Sequence, residues 1–335
     1  MTARFRNLDV ACVGETMIQV VPTGPLPLRE AERFQLTHGG AESNVALQLA
    51  RLGDTVSWVS RLGTDALGDR ILDALGDARI DVSQVRRDPE RSTGVYFKDP
   101  SLTRTVSYYR SGSAASVIDP TDIDNAFALH PRILHISGIT PALSASCLAA
   151  TIYAVENAPQ HGITMSFDVN YRPILWADRR DAADQLQKIA NAATIVFVGL
   201  DEAQLLWGID AAKELPSLLT GPDIVVVKDG SRLATAYSGD EVVTVSALPV
   251  DVVEPVGAGD AFAAGWLHGY LGGLKSEASL RLGHLMARIA MSSVTDYGAY
   301  ETTTEELERI AATEIEWSRL TRSFEQGTGR SHRND

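Results

Sequence analysis

Cysteine is scarce in this 335-residue chain: there are two, Cys12 and Cys147, in separate apolar stretches. That usage supports neither a disulfide framework nor CxxC metal spacing, and both thiols read as small core residues. Basic residues are also in deficit, with 30 Lys and Arg against 43 Asp and Glu leaving a net charge of −13. A field of that sign repels phosphate backbones and anionic lipid head groups, so neither nucleic acid nor membrane is expected as a partner. No apolar run approaches the roughly 18 to 20 residues that cross a bilayer. Residues 1–9 lack the charged-then-apolar pattern of a secretion signal, and the expectation is a soluble, cytoplasmic protein. The seven histidines show no HExxH or comparable ligand spacing, which argues against a transition-metal site. The Walker glycine-lysine loop, the full GxGxxG fingerprint and the GxSxG elbow are all missing, so P-loop, dinucleotide-binding and α/β-hydrolase readings lose their signatures. The chain has no repeat and no low-complexity tract; the polar stretch 325–335 is expected to be a disordered tail.

What is present is globular, with 44% apolar and 22% charged residues. Short Val/Ile/Leu-rich runs recur at 10–13, 56–59, 133–136, 163–167, 195–198 and 224–227. Runs of four or five without polar alternation suit strands buried on both faces, as in a parallel sheet covered by helices. Helix-period segments alternate with them at 43–52, 66–75, 144–157, 180–192 and 260–271. Strand then helix, repeated, predicts an α/β protein with a doubly wound, mostly parallel sheet. Two pairs of β-prone segments, 17–21 with 33–37 and 93–98 with 104–110, have no helix between their members. The second pair is joined by Asp99-Pro100-Ser101, a hairpin-turn sequence. Together they predict a small second sheet, a β lid drawn from about 15–38 and 92–111, on a body formed by the rest of residues 1–324.

The strongest local signal is Gly257-Ala258-Gly259-Asp260, after a strand-like stretch and at the start of a helix-period segment. Glycines let backbone N–H groups approach an anion, and the positive helix end favours negative charge there. Asp260 stands where it would accept a proton from a hydroxyl attacking a phosphoryl group. A lone GxGD more often means only a tight turn with an N-terminal helix charge. Gly39-Gly40-Ala41-Glu42-Ser43-Asn44 precedes another helix and reads two ways: a loop with a Ser43 or Asn44 cap, or a backbone bed for a hydroxylated ligand. Tyr108-Tyr109-Arg110 and Asp168-Val169-Asn170-Tyr171-Arg172 each put an arginine at a strand end, where open α/β sheets keep ligands. Two such arginines in an acidic protein suggest a carboxylate clamp.

The spacing of Gly39-Gly40-x-x-x-Asn44 and Gly257-Ala258-Gly259-Asp260 resembles the paired signatures of the ribokinase-like (PfkB) carbohydrate kinases over about residues 10–300. Within that family, Ser107-Tyr108-Tyr109-Arg110-x-Gly112-Ser113-Ala114, residues 135–143, Asp168 to Arg172, and Glu254-Pro255-Val256-Gly257 look like the 2-keto-3-deoxygluconate kinase branch. The resemblance implies a ribokinase-like fold and ATP-dependent phosphorylation of 2-keto-3-deoxy-D-gluconate at its 6-hydroxyl, with Asp260 as general base and the amides of Gly257, Ala258 and Gly259 as an anion hole. It places the sugar acid on Gly39, Gly40, Ala41, Glu42, Ser43, Asn44, Tyr96, Tyr108, Tyr109, Arg110, Arg172, Asp260 and Asp296. It places the nucleotide on Asn170, Arg172, Lys228, Asp229, Gly230, Ser231 and Gly257 to Gly259. It implies ATP and Mg2+ as cofactors, Glu202 touching the metal through water, a monovalent cation such as K+ as a further cofactor, and a homo-oligomer assembled through the lid. Two departures stand out: the family's Asp-Thr-Thr is Glu254-Pro255-Val256 here, and of its Asn-x-x-Glu only Glu202 matches. The rival readings are a kinase of fructose, another neutral sugar or a nucleoside, and a non-catalytic sugar-binding regulator on the same scaffold.

Overall fold

Strands without polar alternation need apolar cover on both faces, and that requirement organises the structure. The computed structural model describes residues 8–24, 26–99, 106–253, 255–292 and 302–320. They fall into two compact units, one of Met1–Val196 with Ser217–Pro222, the other of Phe197–Pro216 with Asp223–Asp335.

In the first unit, Val56–Val59, Val10–Val13, Ile133–Ser137 and Thr164–Asp168 lie side by side in that order, all parallel. Every residue of the first three is buried. The register sets Cys12 beside Trp58 on one side and His135 on the other. The helices Ala41–Leu52, Ala66–Asp77, Ala145–Asn157 and Arg179–Ala192 arise where the periodicity places them, within two residues at each end. Their starts have local causes: Asp65, Ser144 and Asp178 each accept a hydrogen bond from a first-turn amide. Both cysteines are buried free thiols.

The second, smaller sheet of this unit has the order Phe34–Gly39, Met17–Pro22, Val95–Lys98, Val106–Tyr109. Its outer pairs are antiparallel and the central pair is parallel. Four strands from two excursions are what the sequence predicts, although the turn expected at Pro100-Ser101 lies outside the described residues. Alternation sorts the side chains. Gln19, Thr37, Tyr96 and Tyr108 share one face, while Phe34, Leu36, Phe97 and Tyr109 share the other.

The second unit departs from the expected strand-helix rhythm. Ile224–Asp229 is followed by Leu233–Ser238 and Glu241–Ser246, an antiparallel meander turning at Gly230 and Gly239, both left-handed. The polar alternation of Glu241–Ser246, largely exposed, hid it from a search for continuous apolar runs. The helices Ala258–Leu271 and Ser276–Met291 pack through glycine: a Cβ at Gly265 would fall 2.6 Å from the Leu282 carbonyl oxygen, and one at Gly269 would fall 3.0 Å from the Ser279 Cα.

On Ser276–Met291, His284 is buried, its Nε2 donating to the Val245 carbonyl at 3.1 Å and its ring set edge-on to Phe262. Burial depresses its pKa to about 4. A histidine that charges less readily when folded contributes stability present above its ordinary pKa and lost as pH falls. The expected loss is about 3 kcal/mol between pH 6.5 and 4. Urea unfolding across that window should show a steeper acid limb in wild type than in His284→Gln.

Candidate active site

The sequence-predicted site residues divide between the units. In the first, Gly39 to Asn44 open the helix Ala41–Leu52, Tyr96 and Tyr108 to Arg110 belong to the small sheet and its end, and Asn170 to Arg172 follow the parallel strand Thr164–Asp168. Two further parallel strands are Val10–Val13, followed by Gly14 and Glu15, and Ile133–Ser137, closed by Ser137. Gly40 caps the helix Ala41–Leu52 with extended backbone, and a Cβ on it would lie 2.1 Å from the Glu15 carbonyl oxygen. Glycine is therefore required by close approach. Ser43 donates to the Gly40 carbonyl at 3.1 Å, and the Asn44 amide donates to it at 2.8 Å.

Glu42 is buried and points inward. Its Oε1 accepts from the Ser137 amide at 3.0 Å, the Ser137 hydroxyl at 2.8 Å and the Thr140 hydroxyl at 2.8 Å. Its carboxyl lies against Gly14, where a Cβ would fall 2.1 Å from Cδ. Burial pushes its pKa up, and the three donors oppose that rise. Within Gly39 to Asn44, Gly40 and Ala41 keep partial exposure while Gly39, Glu42, Ser43 and Asn44 are buried.

On the lid sheet, Tyr96 and Tyr108 stack with centroids 5.8 Å apart, and the Arg110 guanidinium carbon is 5.9 Å from the Tyr108 ring. Tyr109 faces the other way, against the edge of Phe97, and is exposed. Gln19, which the sequence reading missed, donates from Nε2 to the Tyr96 hydroxyl at 2.9 Å and accepts from Thr37 at 2.6 Å. Glu15 was also missed. It is buried, ion-paired with Arg110, and accepts from the Ser113 hydroxyl. Its place directly after a buried strand and a glycine was the available signal. Asn170 is buried with left-handed backbone at φ 36°, a conformation asparagine tolerates better than most residues, and Arg172 next to it is exposed.

In the second unit, Gly257 has φ 85° and opens the helix Ala258–Leu271, with Asp260 half-buried in its first turn. The positive φ is the region that favours glycine. Lys228, the penultimate residue of the strand Ile224–Asp229, lies beside this start: its Nζ is 3.4 Å from where a Gly259 Cβ would be. The amides of a helix start and a nearby ammonium group both favour negative charge. Asp229 is engaged by Arg232, from Nη2 at 2.6 Å; Gly230 is the left-handed turn and Ser231 is exposed. Glu202 caps its own helix, accepting from the Gly199 amide at 2.9 Å. Among the described residues no three His, Cys, Asp or Glu side chains form a metal cluster. Asp296 and Glu254 lie outside the described residues.

The sequence pattern of the pfkB family carbohydrate kinases matches residues 7–304 of this chain. The chain is 34% identical over 306 residues to a Bacillus subtilis protein named 2-dehydro-3-deoxygluconokinase, covering 88% of this chain and 93% of that one. It is 32% identical over 285 residues to one of the same name from Thermoproteus tenax, covering 82% and 86%. Among solved structures, a PfkB protein from Polaromonas sp. JS666 aligns with TM-score 0.81 and 36% identity over 90% of this chain and 99% of that one.

The close approach at Gly40 predicts an asymmetry between glycines. Gly40→Ala must displace the Glu15 backbone and is expected to cost about 1–3 kcal/mol, whereas Gly24→Ala meets no atom within 4 Å and should stay within about 0.5 kcal/mol of wild type. Denaturant midpoints of the two variants check this.

Proposed function

The chain belongs to the pfkB family of carbohydrate kinases, and from that premise we propose that it transfers the γ-phosphoryl group of ATP to the 6-hydroxyl of 2-keto-3-deoxy-D-gluconate. The observation that carries the substrate is the 34% identity, over nearly the whole chain, to a relative named 2-dehydro-3-deoxygluconokinase. Asp260 accepts the hydroxyl proton as the oxygen attacks, and the amides of the helix start at Gly257 to Asp260 take up charge on the transferring group. Lys228 adds a cation to that hole. Gly40, Asn44, Tyr96, Tyr108, Arg110 and Arg172 hold the sugar acid, and the turn at Gly230 meets the nucleotide.

A solved neighbour, a putative ribokinase II from E. coli with TM-score 0.82 and 23% identity, is in complex with ATP and Mg2+. Mg2+ bound with ATP would supply positive charge against the transferring group. Glu202 spends one oxygen on its helix cap, so it would hold Mg2+ through water and leave the rest of the coordination to ATP and water, an arrangement that ion favours over an all-protein cage. We further infer a cytoplasmic enzyme that pairs with a second copy through the lid face bearing Phe34, Leu36 and Tyr109, all exposed.

One observation favours a second reading. Arg110 is already neutralised by Glu15, so a neutral sugar such as fructose would leave no unpaired charge there. An ADP-release assay over keto-acids and neutral sugars separates the two: turnover of fructose without turnover of 2-keto-3-deoxygluconate sinks the first reading.

Asp260→Asn is expected to lower kcat by about 10² to 10⁴ with both KM values within a few-fold; near wild-type turnover would remove Asp260 as the base. Lys228→Met should weaken ATP binding by roughly 10- to 150-fold, the range for one charge-assisted hydrogen bond, and ADP binding far less. Equal losses in calorimetry would move Lys228 away from the γ-phosphate.

A further inference from the structure

Arg110 and Glu15, 95 positions apart, form a buried ion pair. Arg110 leaves the lid strand Val106–Tyr109, whereas Glu15 stands at the end of the first body strand, 2% exposed. Glu15 cannot follow the arginine outward: Ser113 donates to its carboxylate, and a Cβ on Gly94 would lie 3.0 Å from its Oε1. The Arg110 side chain is 10% exposed, with Nη2 committed to Glu15 and Nε buried without a hydrogen-bond partner. One donor of a buried guanidinium is thus engaged by a resident acid while another is unspent.

We propose that Glu15 is a specificity-determining residue acting through Arg110: a fixed negative charge that repels an anionic substrate unless the guanidinium covers it. Arg110 then serves two carboxylates, the resident one through Nη2 and the substrate's through its remaining N–H groups. This rests on the keto-acid reading above. Removing one partner of a buried pair leaves the other charge uncompensated, and that penalty exceeds the worth of the contact itself. Acid binding therefore depends on Arg110 more steeply than on an ordinary surface arginine, because losing it both removes a donor and uncovers Glu15.

The test compares wild type, Arg110→Ala, Glu15→Gln and the double variant, measuring Tm and kcat/KM for 2-keto-3-deoxygluconate and for fructose. Arg110→Ala is expected to lower kcat/KM for the acid by about 100-fold or more, mainly through KM, and to lower Tm. Adding Glu15→Gln should restore Tm and recover about tenfold on the acid, with no matching recovery on fructose. Glu15→Gln alone should lower KM for the acid. If Arg110→Ala does not fold, Arg110→Met keeps the aliphatic stem and carries the same comparison. A double variant no better on the acid than the arginine variant, or a recovery equal on both substrates, overturns the proposal and leaves the keto-acid reading standing. A wild type inactive on the acid refutes that reading, and the proposal falls with it.

Discussion

Burying a carboxyl group costs several kcal/mol unless donors replace the water it loses, and in the first unit that constraint ties the body together around Glu42. Its Oε1 takes three donors from Ser137 and Thr140, its carboxyl packs on Gly14, and it sits in the first turn of Ala41–Leu52. One side chain therefore joins the ends of two parallel strands to the start of the first helix. The loop at Gly40 is held in consequence, since Gly40 and Glu42 belong to the same turn and the Glu15 backbone closes against Gly40. A substitution at Glu42 would be felt at Gly40 through this frame.

Two little-exposed arginines of the first unit are handled the same way. In a chain carrying −13, these two are seated against particular acids. Arg61 lies between Asp122, at 2.7 Å, and Asp119, and Arg110 lies against Glu15. The pairing at Arg110 changes the argument about substrate. A free arginine at a strand end selects acids by its charge alone, whereas a paired one selects through the donors its partner leaves unspent.

The second unit relies on small residues instead. Gly265 and Gly269, four apart on Ala258–Leu271, let the backbone of Ser276–Met291 come close, and Gly283 answers from the other helix against the Phe262 ring. The same helix begins at left-handed Gly257. The glycine that turns the chain, the glycine beside Lys228 and the glycines that dock the helix therefore lie within thirteen residues of one another.

Much of this was legible in the sequence. Six apolar runs became strands and five periodic segments became helices, because burial on two faces or on one stripe leaves a periodicity that neighbours alone produce. The lid strands followed from β-prone pairs, and the special glycines from motif: Gly40 through a close backbone approach and Gly257 through left-handed backbone. The antiparallel meander after Asp229 did not, since its last strand is mostly exposed and alternates. Nor did the direction of any site side chain. Glu42 turning into the core, Tyr109 separated from Tyr108 by strand alternation, and Arg110 meeting an acid 95 positions earlier are outcomes of which strand ends come together. Local sequence determines which residues can form an element and where the chain must bend. Which charge faces which is decided only when distant segments are brought within a few ångströms, since the energy of an ion pair depends on separation in space and on the loss of water around it.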